Sequence, residues 1–109
     1  MCGISGFWDL GNIIDPNKYS NILKSMTDEL KHRGPDGEGL EIIKNLCFGF
    51  RRLSIQDLSL KGMQPMFAKN KKGIIVFNGE VYNFKEIKRN HLSNVTFQSE
   101  TDTEVILEL

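Results

Sequence analysis

The sequence has no net charge and no long apolar stretch. Its 109 residues include 14 Lys and Arg against 14 Asp and Glu. Nucleic acids and anionic membranes are bound through basic patches, so this balance argues against both as partners. No apolar run approaches the roughly 18 residues that span a bilayer, and the opening MCGISGFWDLGN lacks the basic and apolar segments of a secretory signal. We therefore expect a cytoplasmic chain with one domain at most.

Cysteine is scarce as well. Cys2 and Cys47 could form a single bridge, which is too few for a disulfide framework in a chain of this size. Neither belongs to a C-x-x-C pair, and His32 and His91 are isolated from both cysteines in sequence. The spacing therefore predicts no metal site in these residues.

The first third of the chain has a strand pattern and then a helix pattern. Residues 2–10 alternate small and apolar side chains, which predicts a half-buried strand that turns at Gly11-Asn12. A helix is expected to begin near Pro16, because apolar residues recur at helical spacing from there to Leu30. The Gly and Pro within residues 32–35 end it.

The middle of the chain is rich in strand signals. Residues 40–43 and 46–53 are β-rich runs separated by two polar residues, and together they predict a hairpin. Residues 54–72 have the composition of a surface loop. Residues 73–77, GIIVF, predict a buried strand that enters the tight turn Asn78-Gly79, where a second hairpin is possible.

The last part of the chain predicts two helices and a short strand. A short helix is expected over residues 83–90 and a strand over 95–98. Residues 101–104, Thr-Asp-Thr-Glu, fit a capping box and should open a second helix. Its apolar start has no Gly, Asn or Pro to end it, so we expect the sequence to be a fragment of a larger domain.

Cys2 is the residue with the most chemical information. It directly follows Met1, and its small side chain permits removal of the methionine. One residue would then carry a thiolate that attacks carbonyl carbon and a free α-amino group that acts as a base beside it. Considered alone, Cys2 has a second interpretation as a tolerated small residue.

Six blocks along the chain decide between these interpretations. They are MCGISGF at the start, HRGPDGEG at 32–39, RRLSIQD at 51–57, Gln64-Pro65, NGEVYNF at 78–84 and TDTEVI at 101–106. In this order they resemble the glutaminase domain of glutamine-hydrolysing asparagine synthetases, which are class II, amino-terminal-nucleophile amidotransferases. Other class II amidotransferases share the Cys-Gly-Ile start and an Asn-Gly turn, but their middle blocks differ. The resemblance therefore indicates the asparagine-synthetase branch.

The resemblance implies a role for each matching position. The catalytic residues would be Cys2 as nucleophile, with Asn78 and the backbone N–H of Gly79 as donors to the oxyanion. Arg52 would hold the α-carboxylate of glutamine, and Asp102, supported by Glu80, would pair with its α-ammonium. The full set of substrate-binding positions that the resemblance implies is Arg52, Leu53, Ser54, Ile55, Gln56, Asn78, Gly79, Glu80 and Asp102.

Each of these positions also has a plainer interpretation. Arg52 could be a solvated charge at a strand end, Asn78-Gly79 is a common hairpin turn, and Asp102 could serve a helix dipole. The six blocks in family order favour the catalytic interpretation of all of them together. His32 and Arg33 belong to a block that we interpret as a helix stop and a turn that positions neighbouring loops.

Several other residues are predicted to be structural. Phe7, Trp8 and the apolar residues of GIIVF should belong to the core, and Cys47 should be a buried small hydrophobe. The resembling family usually has His where this chain has Phe50. The substitution removes a polar group near the expected pocket without touching the nucleophile or the oxyanion donors.

The resemblance also implies a fold. It is an α+β amino-terminal-nucleophile hydrolase sandwich, with αββα layers of antiparallel sheets, of which only the amino-terminal part is present. Residues 1–109 would be a partial type-2 glutamine amidotransferase domain, truncated at its carboxy-terminal end and without the synthetase domain.

The expected partners follow from the same resemblance. They are L-glutamine and a carboxy-terminal synthetase domain, and a homo-oligomer is left open. The sequence has no Gly- and Ser-rich phosphate loop, so we expect no cofactor in these residues, and ATP and Mg only in the synthetase domain. Ammonia would pass there to make asparagine from aspartate, or would reach a different carboxylate.

Two further functions remain as alternatives. The chain could be a non-catalytic interaction or regulatory module that keeps the fold without the chemistry. It could also be a redox sensor that uses Cys2 and Cys47.

Overall fold

Five strands and three helices occur in residues 1–55 and 58–109, the part of the chain that the computed structural model describes. In chain order they are β1 (Gly3–Trp8), α1 (Tyr19–Asp28), β2 (Gly37–Ile43), β3 (Leu46–Arg52), β4 (Met66–Phe67), β5 (Ile74–Ile75), α2 (Phe84–His91) and α3 (Asp102–Glu108). The strands form antiparallel sheets, so the predicted mixture of helices and antiparallel sheets is confirmed. Within these two ranges no helix has the length and apolar character to cross a membrane.

The larger sheet has three strands in the order β1-β3-β2. Strand β3 is central and pairs antiparallel with both neighbours, so that Ser5 and Leu40 lie on either side of Gly49. Lys44, in the left-handed region with φ 56°, lies in the connection between β2 and β3. The predicted opening strand, first helix and hairpin are all confirmed, with a short 3-10 turn over Pro16–Lys18 preceding α1.

Helix α1 packs on one face of this sheet and forms the core with it. Tyr19 and Leu23 of the helix meet Cys47 of β3, so the predicted burial of Cys47 is confirmed. This burial raises the pKa of the Cys47 thiol. The Tyr19 hydroxyl donates to the buried carboxylate of Asp9 at 2.7 Å, and this hydrogen bond raises the pKa of Tyr19 to about 12.

The opposite face of the sheet corrects one prediction. Trp8, expected in the core, is 62% exposed, whereas Phe7 packs on Tyr19 at 5.6 Å between ring centroids. Successive residues of a strand point to opposite faces. Phe7 shares the helix-covered face with Cys47, its partner in the register, and Trp8 pairs with Leu46 on the other face. The prediction for Trp8 was wrong because apolar character alone does not say which face of the sheet is covered.

The second sheet is a short hairpin that corrects the prediction for residues 73–77. Only Ile74–Ile75 form a strand, β5, which is half-buried and pairs with β4. No second hairpin forms at Asn78-Gly79, because residues 80–83 form no strand and lead into α2. The tight type I′ hairpin turn needs a positive φ at both central residues, and neither Asn78 nor Gly79 has one.

The carboxy-terminal region confirms both helices and corrects one strand. Residues 95–98 form no strand, because the N–H groups of Gln98 and Ser99 donate to the carboxylate of Glu104, at 2.8 and 2.7 Å, instead of to a neighbouring strand. The Thr101 hydroxyl accepts from the Glu104 N–H at 3.3 Å, which confirms the predicted helix cap.

Candidate active site

The end of β3, the segment after β5 and the start of α3 surround a cavity of about 430 Å³. This volume is within the range of small-molecule pockets, about 300–1,000 Å³. Eight of the ten predicted site residues line it, and they are Cys2, Arg52, Leu53, Ile55, Asn78, Gly79, Glu80 and Asp102. The remaining described residues of the wall are Met1, Phe50, Gly62, Gln64, Phe77, Tyr82, Thr101 and Thr103.

Two predicted site residues are not in that wall. Ser54 is not among the described lining residues, and its backbone N–H donates to the carboxylate of Asp36 at 2.8 Å. Gln56 lies outside the residues that the structure describes. The direct contact of Ser54 with the cavity, which the sequence led us to expect, is therefore not observed.

The candidate nucleophile lies just before the edge strand β1 and reaches the end of β3. The backbone N–H of Leu53 donates to the sulfur of Cys2 at 3.3 Å. The Cys2 thiol in turn is 3.6 Å from the Leu53 carbonyl oxygen. These two contacts tie the Cys2 side chain to the end of β3. The half-buried thiol is thus held in place and remains at the cavity wall.

Strand alternation separates the two neighbouring arginines. Arg51 points to the helix-covered face, where its Nε donates to the Thr27 carbonyl at 3.1 Å and its guanidinium pairs with Asp28 and Glu38. Arg52 lines the cavity and donates one N–H to the carbonyl of Ser59. Because its side chain is at the cavity wall, Arg52, and not Arg51, is in position to meet an anionic group in the cavity.

The predicted turn at residues 32–39 supports the end of β3. Asp36 accepts the Ser54 N–H and donates its own N–H to the Arg52 carbonyl at 2.9 Å. A side chain at Gly34 would come within 2.6 Å of the backbone of residues 51 and 52, so this close approach needs glycine. These contacts confirm that the block positions a neighbouring loop. His32 and Arg33 are exposed and are not among the residues of the cavity wall.

The opposite wall carries Asn78, Gly79 and the acidic residue Asp102. Asn78 and Gly79 are exposed at the cavity, in the segment between β5 and α2. Asp102, at the start of α3, is 4% exposed and its carboxylate accepts the backbone N–H of Val81 at 2.7 Å. One acidic side chain therefore both faces the cavity and fixes the segment that carries Asn78 and Gly79.

The cavity wall also includes residues to which no functional signal in the sequence pointed. Phe50 is 1% exposed and provides an apolar surface where the resembling family usually has His. Gln64 was noted only as part of a matching block, and Phe77 only as a strand residue. Gln64 bonds to the backbone of Phe77 and to Thr103, a contact across 39 positions of the chain that no local pattern could reveal.

The two cysteines are too far apart to act together. Cys47 pairs with Phe7 in the register of β1 and β3. Five steps of extended chain, at about 3.4 Å each, place Cys2 about 17 Å from that position, whereas a disulfide requires Cα atoms about 4.4–6.8 Å apart. The structure thus excludes a disulfide between Cys2 and Cys47. Across the described ranges, no group of three or more His, Cys, Asp or Glu is arranged to hold a metal ion.

Comparison with known proteins gives a consistent set of relatives. A family model described as glutamine amidotransferase domain matches residues 1–109. The chain is 40% identical over 109 residues to asparagine synthetase [glutamine-hydrolyzing] 2 of Bacillus subtilis, covering all of this chain and 14% of that protein. It is 32% identical over 109 residues to asparagine synthetase B [glutamine-hydrolyzing] of Escherichia coli, covering all of this chain and 19% of that protein. The chain thus spans less than a fifth of the length of these two relatives.

Proposed function

The chain belongs to the glutamine amidotransferase domain family, and from this membership we propose that it hydrolyses glutamine to glutamate and ammonia at Cys2. One observation carries the proposal. A thiol, an Asn-Gly pair, a buried arginine and a buried aspartate from four separate parts of the chain all line one cavity. Covalent hydrolysis of the side-chain amide of glutamine can use this combination: a nucleophile, oxyanion donors and one charge of each sign for the α-carboxylate and the α-ammonium.

Hydrolysis of the Met1–Cys2 peptide bond is proposed to precede the reaction, and it removes Met1, which also lines the cavity. The α-amino group of Cys2 takes the thiol proton, and Sγ attacks the side-chain amide carbon of glutamine. When the resulting tetrahedral species collapses, the C–N bond breaks, the amino group passes its proton to the leaving nitrogen, and ammonia departs from a glutamyl thioester. Water then attacks the thioester, which releases glutamate and returns a proton to the sulfur.

The negative oxygen of each tetrahedral species needs donors that are already in place. The side-chain amide of Asn78 and the backbone N–H of Gly79 are proposed as these donors. The loss of one such donor typically lowers the rate by about 10²–10³-fold. Replacement of Asn78 by Ala is therefore expected to lower kcat for glutamine hydrolysis by about that factor, measured by glutamate release.

The ends of the substrate are proposed to bind to opposite charges. Arg52 holds the α-carboxylate through a planar two-pronged contact, and Asp102, with Glu80 in support, pairs with the α-ammonium. The apolar side chains of Leu53 and Ile55 flank the methylenes of glutamine. Ser54 and Gln56 keep only the substrate-binding role that the resemblance implies for them.

Asparagine synthesis is proposed for the whole protein, on the printed names of the relatives. Ammonia would pass to a synthetase domain that uses ATP and Mg to activate aspartate, and a different carboxylate acceptor is the alternative. We also propose that the described sheets belong to an αββα sandwich of the amino-terminal-nucleophile type, and that the protein is cytoplasmic. These extensions rest on family likeness, whereas glutamine hydrolysis also rests on the cavity.

A non-catalytic interaction module is the competing function. Intact mass spectrometry of the full natural chain, before and after an electrophilic glutamine analogue, separates the two. We expect the methionine to be absent and one adduct to form. Cys2→Ala should take up no adduct, whereas the matched variant Cys47→Ala, which removes the buried cysteine, should be labelled like the wild type. Retained methionine, or a processed chain without an adduct, would contradict glutamine hydrolysis and favour the interaction module.

A further inference from the structure

Gln64 is a buried residue of the cavity wall that the proposed reaction does not use. It is 6% exposed, and both polar atoms of its side chain are engaged. Its Oε1 accepts the backbone N–H of Phe77 at 2.5 Å. Its Nε2 lies 3.3 Å from the Phe77 carbonyl oxygen and 3.3 Å from the Thr103 hydroxyl. The amide of Gln64 therefore binds both backbone groups of the residue that directly precedes Asn78.

The same segment is held at its other end. Asp102 accepts the backbone N–H of Val81 at 2.7 Å, so residues 77–81 are fixed on both sides of Asn78 and Gly79. The two anchors are connected, because Gln64 also bonds to Thr103, which follows Asp102 at the start of α3. Hydrogen bonds and the covalent chain therefore connect Gln64, residues 77–81 and the start of α3 in one closed loop.

We propose that Gln64 is a positioning residue that holds the Asn78-Gly79 oxyanion donors at a set distance from Asp102 and the cavity. This role rests on the proposed glutamine hydrolysis. Oxyanion donors stabilise a transition state only if they are preorganised, and a misplacement of about 1 Å can cost about 10²-fold in rate. Gln64 contacts neither the proposed nucleophile nor the proposed charged handles through any hydrogen bond found among the described residues.

Two substitutions test this role with little change in volume. Gln64→Met keeps the length of the side chain and removes every hydrogen bond. Gln64→Glu keeps an acceptor for the Phe77 N–H, but ionised Glu replaces the donor with an oxygen that faces the Phe77 carbonyl. Protonated Glu regains an O–H donor. Glu at this position should therefore restore the positioning, and with it kcat, as the pH falls.

The measurements are steady-state glutamine hydrolysis and the rate of Cys2 alkylation by iodoacetamide, both on the full natural chain. Alkylation displaces iodide without forming an oxyanion, so it reports the thiol alone. In Gln64→Met we expect kcat to fall by about 10–100-fold, KM to change by less than about threefold, and alkylation to stay within about twofold of wild type. In Gln64→Glu the activity relative to wild type should rise on acidification.

Thr27→Val provides the matched control. Thr27 is a fully buried polar residue that bonds to Ser5 and the Leu23 carbonyl on the helix-covered face, away from the cavity. Its substitution should lower the melting temperature and leave kcat and KM unchanged. If Gln64→Met does not fold, the pH dependence of Gln64→Glu activity tests the positioning role instead.

Three results overturn the role of Gln64. The first is a kcat within threefold of wild type in a folded Gln64→Met. The second is an equal loss of glutamine hydrolysis and Cys2 alkylation in Gln64→Met. The third is a ratio of Gln64→Glu activity to wild-type activity that does not change with pH. A wild-type chain that is alkylated at Cys2 yet hydrolyses no glutamine overturns the proposed function and this role together. An active wild type with unaffected Gln64 variants overturns the role alone.

Discussion

Asp102 lines the cavity and also anchors the backbone at Val81, and the effects of these two contacts can be measured separately with two substitutions. Its carboxylate faces the cavity, where it is proposed to pair with the α-ammonium of glutamine, and it also accepts the Val81 N–H at 2.7 Å. Asp102→Asn keeps an oxygen for the Val81 N–H and removes the charge. Asp102→Ala removes both. The first variant should therefore weaken substrate binding alone, and the second should also loosen the Asn78-Gly79 segment.

The size of the binding effect follows from the chemistry of the contact. A hydrogen bond to a charged group contributes about 1.5–3 kcal/mol, which corresponds to a decrease of about 10–150-fold in kcat/KM at about 1.4 kcal/mol per tenfold. Because an ammonium contact far from the reacting carbon is made equally in ground state and transition state, Asp102→Asn should raise KM with little change in kcat. Asp102→Ala should also lower kcat. The lost charge at the first turn of α3 should cost about 0.3–1 kcal/mol of stability in either variant.

The assay compares glutamine with glutaramic acid, the analogue that lacks the α-amino group. Wild type should hydrolyse glutamine with the higher kcat/KM, and Asp102→Asn should lose most of that preference. Thermal melts of both variants correct for stability. Asp102→Asn with undiminished preference for glutamine over glutaramic acid would refute the ammonium contact. Equal kcat in Asp102→Asn and Asp102→Ala would refute the anchoring of Val81.

Four further predictions concern stability, activity and pH. Leu23→Ala, at a fully buried position under the sheet, should lower the free energy of unfolding by about 2–5 kcal/mol in denaturant titration, with no loss of m-value. Gly39→Ala would place a Cβ 1.8 Å from the Gln64 carbonyl oxygen, so it should cost about 1–3 kcal/mol and lower glutaminase activity. The Tyr19 hydroxyl and two backbone N–H groups lower the pKa of Asp9. The Asp9 carboxylate thus stabilises the fold above its unfolded-state pKa, and this contribution is lost as the pH falls through its lower folded-state pKa. Asp9→Asn should therefore flatten the acid side of a plot of melting temperature against pH. The pKa of Tyr19 is raised, so its contribution to the free energy of unfolding is present below a pH of about 10. It should be lost as the pH rises from about 10 to about 12.

Local signals predicted most of the secondary structure. The apolar spacing of α1 and the Thr101 cap depend on neighbours three or four positions apart, and such patterns persist whatever surrounds them. The errors occurred where a hydrogen-bond partner elsewhere in the chain determines the backbone conformation. Residues 95–98 have strand composition, but the backbone N–H groups of Gln98 and of the next residue, Ser99, donate to the carboxylate of Glu104. At Asn78-Gly79 a hairpin needs a following strand, and Asp102 instead holds the chain at Val81.

The sequence by itself determined the family, the candidate nucleophile and eight of the sixteen described residues that line the cavity, because motif order and residue chemistry are properties of the chain. The tertiary structure decided where the side chains of those blocks lie. It directed Arg51 to the helix-covered face and Arg52 to the cavity through the two-residue period of a strand. It exposed Trp8, because a helix covers only one face of β1. It also joined Gln64 to Phe77 and Thr103, since a hydrogen bond across 39 positions depends on packing and has no trace in local sequence.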